Sequence, residues 1–136
     1  MKRGDMNLLD EWQGRQDTLL WADFAGDDPD QEKQILLSKF GLHPMAIQDA
    51  QRDRHPPKIE QFDGYVFILL KGLGKETEAF EFETVQIAMF IGKRFLVTRH
   101  SGDSPSIEKL WQDVERDPAL FAQGTDALAL RLSRII

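Results

Sequence analysis

The chain has no cysteine among its 136 residues. That excludes disulfides, thiolate zinc sites and cysteine nucleophiles, and it fits a reducing cytoplasm. It also lacks any uninterrupted apolar run near the ~20 residues that a membrane helix needs. The opening stretch, MKRGDMNLLDEWQGRQD, has no apolar core of the kind a signal peptide carries. There is no excess of positive charge: 17 Lys and Arg against 23 Asp and Glu give a net charge of −6. A nucleic-acid binder normally needs a basic surface to release counterions from phosphates, so nucleic acid is not expected as a partner. No internal repeat, phosphate-binding glycine loop or dinucleotide fingerprint is present; Gly72-Leu73-Gly74 lacks both the third glycine and a following helix.

What is present suffices for one domain, 1–136, with a real core, since 41% of residues are hydrophobic and 10% aromatic. Residues 1–18 read as a loose or extended start, with Leu8, Leu9 and Trp12 as possible anchors. Leu19 to Phe24 is expected as a first strand. Asp28 then marks a helix start: it can cap, Pro29 takes the first helical position, Gln31 lies three residues on, and Asp30 and Glu32 complement the dipole. Ile35, Leu36 and Phe40 give that helix a buried face before Gly41. Pro44 suits the first turn of a short helix over Met45 to Ala50, and Arg52 to Lys58 is a polar loop with two prolines.

Lys58 to Phe62 and Tyr65 to Leu70 form a predicted hairpin turned by Asp63-Gly64. Tyr-Val-Phe-Ile-Leu-Leu has no polar face, which predicts a strand covered on both sides at the centre of a sheet. Gly72 to Thr77 is expected as a loop. Phe80 to Ile91 alternates, but its phase slips from even to odd positions, so a β-bulge or break is expected near Glu83-Thr84. Gly92-Lys93 turns the chain into Arg94 to Thr98. Ser104 and Pro105 open a helix with Ile107, Leu110, Trp111 and Val114 on one face, ended by Asp117-Pro118. Gly124 to Asp126 starts a last helix whose stripe of Leu128, Leu132 and Ile135 is still running at Ile136. The chain therefore reads as cut, with that stripe exposed and free to pair loosely with another copy. The fold class expected is α/β, a three-layer α/β/α domain with a central mixed sheet containing antiparallel hairpins.

Four segments in order resemble one known family, the N-terminal domain of CorA-type magnesium and divalent-cation transporters, which includes zinc-transporting relatives. Trp21-Ala22-Asp23-Phe24 is similar to the family's Trp-x-Asp-Leu strand. Phe40-Gly41-Leu42-His43-Pro44-Met45-Ala46-Ile47-Gln48-Asp49-Ala50 resembles its Phe-Gly-(Leu/Ile)-His-Pro-Leu-x-(Leu/Ile)-Glu-Asp-(Ala/Ile) segment. Pro57-Lys58-Ile59-Glu60 to Leu70 resembles the Arg-Pro-Lys-(Val/Ile)-Glu hairpin, and Val85 to Thr98 the hairpin whose second strand reads Phe-Leu-Val-Thr. The likeness spans about residues 19–136. It implies a non-enzymatic cytoplasmic domain at the inner face of the cell membrane, part of a pentameric funnel, whose stalk and membrane helices are absent from this sequence. The isolated fragment is then expected to be a monomer or small oligomer.

The resemblance also implies a site: Asp49 matches the carboxylate that shares a regulatory divalent cation with a carboxylate on the neighbouring subunit's stalk. Mg2+ is the ion implied, with Co2+, Ni2+ or Zn2+ as relatives, and binding by one carboxylate should be weak. Gln48 stands where the family usually has Glu, so a second carboxylate is missing. Without the resemblance, Asp49 reads as a solvated acid late in a short helix.

Other clusters read as structure. Asp27, Asp28 and Asp30 lack the spacing of a calcium loop and suit helix capping. His43, His55 and His100 have no metal-ligand spacing. Arg52, Arg54, His55 and Lys58 form a basic loop in an acidic chain. Arg99 to Ser104 contains Ser, His and Asp but no nucleophile elbow, and reads as a strand-to-helix connection. The alternative function is a stand-alone α/β ligand-binding domain or small hydrolase with its site built from loops.

Overall fold

The structure is a computed structural model that describes residues 6–15, 18–52, 55–78 and 81–136; within residues 6–7, 73–78 and 81–83 it describes the backbone alone. Arg54 and Phe80, which figure in the readings above, lie outside the described residues.

The elements in chain order are α1 (Met6–Gln13), β1 (Leu20–Phe24), α2 (Pro29–Ser38), α3 (Pro44–Gln51), β2 (Lys58–Phe62), β3 (Tyr65–Glu78), β4 (Glu81–Gly92), β5 (Phe95–His100), α4 (Pro105–Arg116), α5 (Ala119–Ala122) and α6 (Thr125–Ile135). The strands form one sheet in the order β1-β5-β4-β3-β2. β1 runs parallel to β5 and the other pairs are antiparallel, so the sheet is mixed.

Strand alternation sends side chains to opposite faces, and each face meets its own helices. Phe67, Leu69, Ala88, Phe90 and Val97 pack with Trp12, Leu36, Phe40, Ala46 and Ile47 from α1, the α2 region and α3. Ile87, Met89 and Leu96 pack with Ile107, Leu110, Val114, Leu128 and Leu132 from α4 and α6. This is the three-layer α/β/α arrangement expected from the sequence.

Helix starts follow their local chemistry. Asp28 accepts from the Gln31 amide at 3.1 Å and Ser104 from the Ile107 amide at 3.3 Å, with proline next in each case. The β2–β3 turn is the two-residue Asp63-Gly64 connection between the paired Phe62 and Tyr65. Gly64 has φ +88°, a conformation a Cβ would strain.

Several expectations need correction. The start is not loose over its described part: Met6–Gln13 is helical, with Leu9 and Trp12 buried. Trp12 Nε1 donates to the Thr18 and Arg94 carbonyls at 3.0 and 3.2 Å, and the Arg94 guanidinium lies 5.0 Å from the Trp12 ring, so this indole fastens α1 to the sheet. The central strand is β4, not Tyr65 to Leu70; β3 is interior, with Tyr65, Phe67 and Leu69 buried and Val66, Ile68 and Leu70 half-buried. An apolar run shows that both faces are covered, not which interior place the strand takes.

Gly72 to Thr77 is not a loop, because β3 continues to Glu78. The irregularity falls near the expected level but on the other strand: from Leu73↔Thr84 to Glu76↔Phe82, β3 advances three residues and β4 two. β5 runs on through Arg99 and His100. Finally, the α6 stripe is not exposed, since Leu128 and Leu132 are 1% and 0% accessible against the sheet. An apolar stripe at a chain end looks unpartnered in sequence, whereas here the α4 side of the sheet covers it.

Candidate functional site

Asp49 lies in the last turn of α3. His43 caps this helix, its Nδ1 accepting from the Met45 amide at 3.1 Å, while the His43 amide donates to the Tyr65 hydroxyl at 2.8 Å. Ala46, Ile47 and Ala50 turn into the core, Gln48 turns to solvent, and Asp49 falls at the boundary facing the start of β2.

Asp49 is not a freely solvated acid. Its Oδ2 accepts from Lys58 Nζ at 2.5 Å, and its Oδ1 faces His55 Nε2 at 3.6 Å. The Asp49 and Lys58 side chains are 16% and 29% accessible. Lys58 and Glu60 are two apart on β2 and share a face, so the same Nζ lies 3.3 Å from Glu60 Oε1. The Lys58 ammonium also stands 5.7 Å from the Phe67 ring centre. The hydrogen bond to Asp49 raises the Lys58 pKa above its ordinary value against an opposing effect of burial, and Glu60 adds to the rise.

The rest of α3's end is tied down by amide and guanidinium groups. Gln86 on β4 donates to the Asp49, Ala50 and Arg52 carbonyls at 3.4, 3.3 and 2.9 Å, and its own carbonyl accepts from the His55 amide at 2.9 Å. Arg99 on β5 donates to the Ala50 carbonyl at 3.0 Å and to Glu32 Oε1 at 2.7 Å. The Arg99 and Glu32 side chains are 6% and 4% accessible, so Glu32 is a buried ion-pair partner rather than only a dipole complement.

A second polar chain runs along the β1–β5 edge. Trp21 Nε1 donates to Thr98 Oγ1 at 2.9 Å, Thr98 Oγ1 donates to Asp23 Oδ1 at 2.7 Å, and His100 Nε2 lies 2.9 Å from Asp23 Oδ2. His100 Nδ1 lies 2.7 Å from the Gly102 carbonyl. Both ring nitrogens thus face acceptors, which favours the imidazolium. Burial alone would lower the His100 pKa, but the Asp23 hydrogen bond and charge, with the Gly102 carbonyl, outweigh it and raise the pKa above 6.5. Ser104 in the same stretch caps α4.

The three histidines are therefore apart: His43 caps α3, His55 faces Asp49, and His100 faces Asp23. Among the described residues no group of three or more His, Asp or Glu side chains could hold a metal ion. Asp49 offers one oxygen-donor group of the kind Mg2+ prefers, but the residues present supply a single ligand position and no cage.

The sequence reading missed Lys58 as Asp49's partner and missed the Glu32–Arg99–Gln86 network. For the first, the Lys58 and Glu60 spacing puts both on one face of β2 but does not point to Asp49, nine residues earlier across the proline loop. Nothing local marks the second, whose Glu32 and Arg99 are 67 residues apart.

Fold and polar sites together define a three-layer α/β/α domain whose surface carboxylate on α3 is held by a lysine ammonium. The chain belongs to the CorA-like Mg2+ transporter protein family, which it matches over residues 16–135. It is 35% identical over 104 residues to "Putative metal ion transporter YfjQ" of Bacillus subtilis, covering 76% of this chain and 31% of that protein. It is 30% identical over 76 residues to the cobalt/magnesium transport protein CorA of Thermotoga maritima, covering 56% of this chain and 22% of that protein. The chain thus spans less than a third of the length of these relatives. Its fold is similar to that of the soluble domain of CorA from Methanocaldococcus jannaschii, with TM-score 0.69, 22% identity, and coverage of 85% of this chain and 45% of that one. It is also similar to the full-length CmaX protein, with TM-score 0.71, 15% identity, and coverage of 84% and 34%. Among the described residues no helix is long and apolar enough to cross a membrane.

Proposed function

We propose that this domain is the cytoplasmic regulatory part of a divalent-cation transporter, with Mg2+ as the physiological ion, and that it contributes to ion-dependent gating rather than to conduction or catalysis. Family membership over residues 16–135 carries the reading. Both named relatives are described as metal transporters, and both extend far beyond the matched region, where the proposal places the conducting helices. In the whole protein the domain stands at the inner face of the membrane in a homopentamer, and Asp49 shares a regulatory cation with a carboxylate on the neighbouring subunit's stalk.

The physics of such a sensor is simple. Mg2+ keeps most of its waters and often meets one or two carboxylates, so Asp49 alone holds it weakly and a facing carboxylate makes the site. A cation shared across subunits stabilises one arrangement only by its differential affinity for that arrangement. Asp49→Ala in the complete transporter should therefore shift the dependence of flux on cytoplasmic Mg2+. An unchanged Mg2+ response in that variant would remove Asp49 from the sensor.

A further inference from the structure

We infer that Lys58 is a built-in competitor for the cation at Asp49, so that the regulatory ion binds by exchange with a tethered ammonium rather than by filling a free site. The inference rests on the reading of Asp49 as a cation ligand.

Three observations carry it. First, Lys58 Nζ sits where a metal would have to approach: 2.5 Å from Asp49 Oδ2 and 3.3 Å from Glu60 Oε1, with the other Asp49 oxygen turned toward His55. A hydrated divalent ion cannot share that position with the ammonium. Second, charge drives the exchange. A dication and the Lys58 ammonium held at the same Asp49 oxygen would repel each other at contact distance, and moving the ammonium off Asp49 toward Glu60 relieves that repulsion while Asp49 keeps a cation.

Third, Lys58 is free to leave. It opens an edge strand whose backbone is already paired with Leu69, its four-carbon stem is flexible, and its head is partly exposed. Once displaced from Asp49 it keeps Glu60 as a partner and is not left as an uncompensated charge. The exchange gives the sensor a threshold, because a tethered competitor acts at a high effective concentration that free monovalent ions do not match. The apparent affinity for a divalent ion is lowered by the factor with which the Asp49–Lys58 pair is favoured over its open form, about two- to fivefold for a partly exposed charge pair.

The test is a Mn2+ titration of the 136-residue chain, followed by paramagnetic broadening of the backbone amides of Asp49 to Gln51, with Mg2+ as diamagnetic competitor. Lys58→Met should lower the Mn2+ midpoint about two- to fivefold, and Asp49→Asn should abolish the local broadening. Lys58→Gln repeats the measurement should the methionine variant melt early. In the wild-type chain the Lys58 side-chain signals should move in step with the Mg2+ titration. If Asp49→Asn abolishes binding while both Lys58 variants keep the wild-type midpoint and the Lys58 signals stay in place, the competitor role is overturned and the Asp49 reading stands. Broadening that persists in Asp49→Asn overturns both, and a lack of broadening at α3 in both Lys58 variants overturns the competitor role, since removing the ammonium then opens no site; the Asp49 reading is decided separately by the Mg2+ response of Asp49→Ala in the complete transporter.

Discussion

Two ion pairs flank the last turn of α3, and they differ mainly in burial. Arg99 and Glu32 meet at 2.7 Å in the interior between α2, α3 and β5, whereas Lys58 and Asp49 meet at 2.5 Å at the margin, open to water. Burial costs both charges of the first pair their hydration, and the arginine recovers it by adding a bond to the Ala50 carbonyl that a compact ammonium could not place as well. The second pair gives up less hydration, with water still reaching both heads, and opens at a smaller cost. The same formal chemistry therefore fixes α3 from the inside and leaves its outer carboxylate exchangeable.

The largest expected effect tests the fixed side. Arg99→Met leaves Glu32 charged in the interior and the Ala50 carbonyl with only the longer bond from Gln86, and should lower unfolding stability by about 3–5 kcal/mol. Glu32→Met combined with Arg99→Met should recover much of that loss, because removing both charges removes the unpaired one. Urea denaturation of the two variants checks this. A single-variant loss below about 1 kcal/mol would show the buried pair to be no more costly to break than a surface one, and the contrast would collapse.

Gln86 comes next. Its amide serves three carbonyls at the end of α3 and accepts one amide, so Gln86→Leu should cost about 1–3 kcal/mol, toward the lower end because water reaches these partly exposed groups. Hydrogen exchange at the His55 amide should speed up in this variant. An unaltered exchange rate there would mean that the α3 end is held without Gln86, by Arg99 and by the Gln51 amide that donates to the Pro29 carbonyl.

A third pair, His100 with Asp23, lies between the two extremes, partly buried at the β1–β5 edge. Its folded-state pKa is raised above 6.5, so its contribution to stability is fully present below the unfolded-state value and is lost as pH rises through the folded-state one. Unfolding midpoints measured upward from pH 6 should therefore fall with pH, and Asp23→Asn should flatten that fall. A slope unchanged in Asp23→Asn would assign it to another group.

These contrasts mark where the sequence was legible. Asp28-Pro29, Ser104-Pro105 and Asp63-Gly64 act within a few residues, and the elements they start or turn are where local chemistry puts them. Alternation in the strands identified an α/β core. Strand order was not readable: Tyr65 to Leu70 and the β4 run are both interior, and hydrophobicity does not rank interior places. Arg99 to Ser104 reads from the sequence as a strand-to-helix connection, yet Arg99 and His100 belong to β5, and the Arg99 partner lies 67 residues earlier, where no local pattern points to it. Asp49 stood out only through resemblance. Its partner Lys58 lies across the proline loop, and whether that loop folds back on the helix is a tertiary fact.

The smallest effect tests the exchangeable side. Lys58→Met removes a partly exposed ammonium whose carboxylate partner is still reached by water and by the His55 ring, so the stability change should be within about 1 kcal/mol. Methionine keeps the apolar stem of lysine beside Phe67, so little packing is lost. Whatever loss appears should shrink as salt is raised from ~0.01 M to ~1 M, since the screening length falls from about 30 Å to about 3 Å. The Arg99→Met loss should barely respond, because mobile ions do not reach the buried pair. If Lys58→Met instead cost several kcal/mol and ignored salt, Lys58 would be as fixed as Arg99, and a cation at Asp49 would have to break structure rather than exchange with a tethered charge.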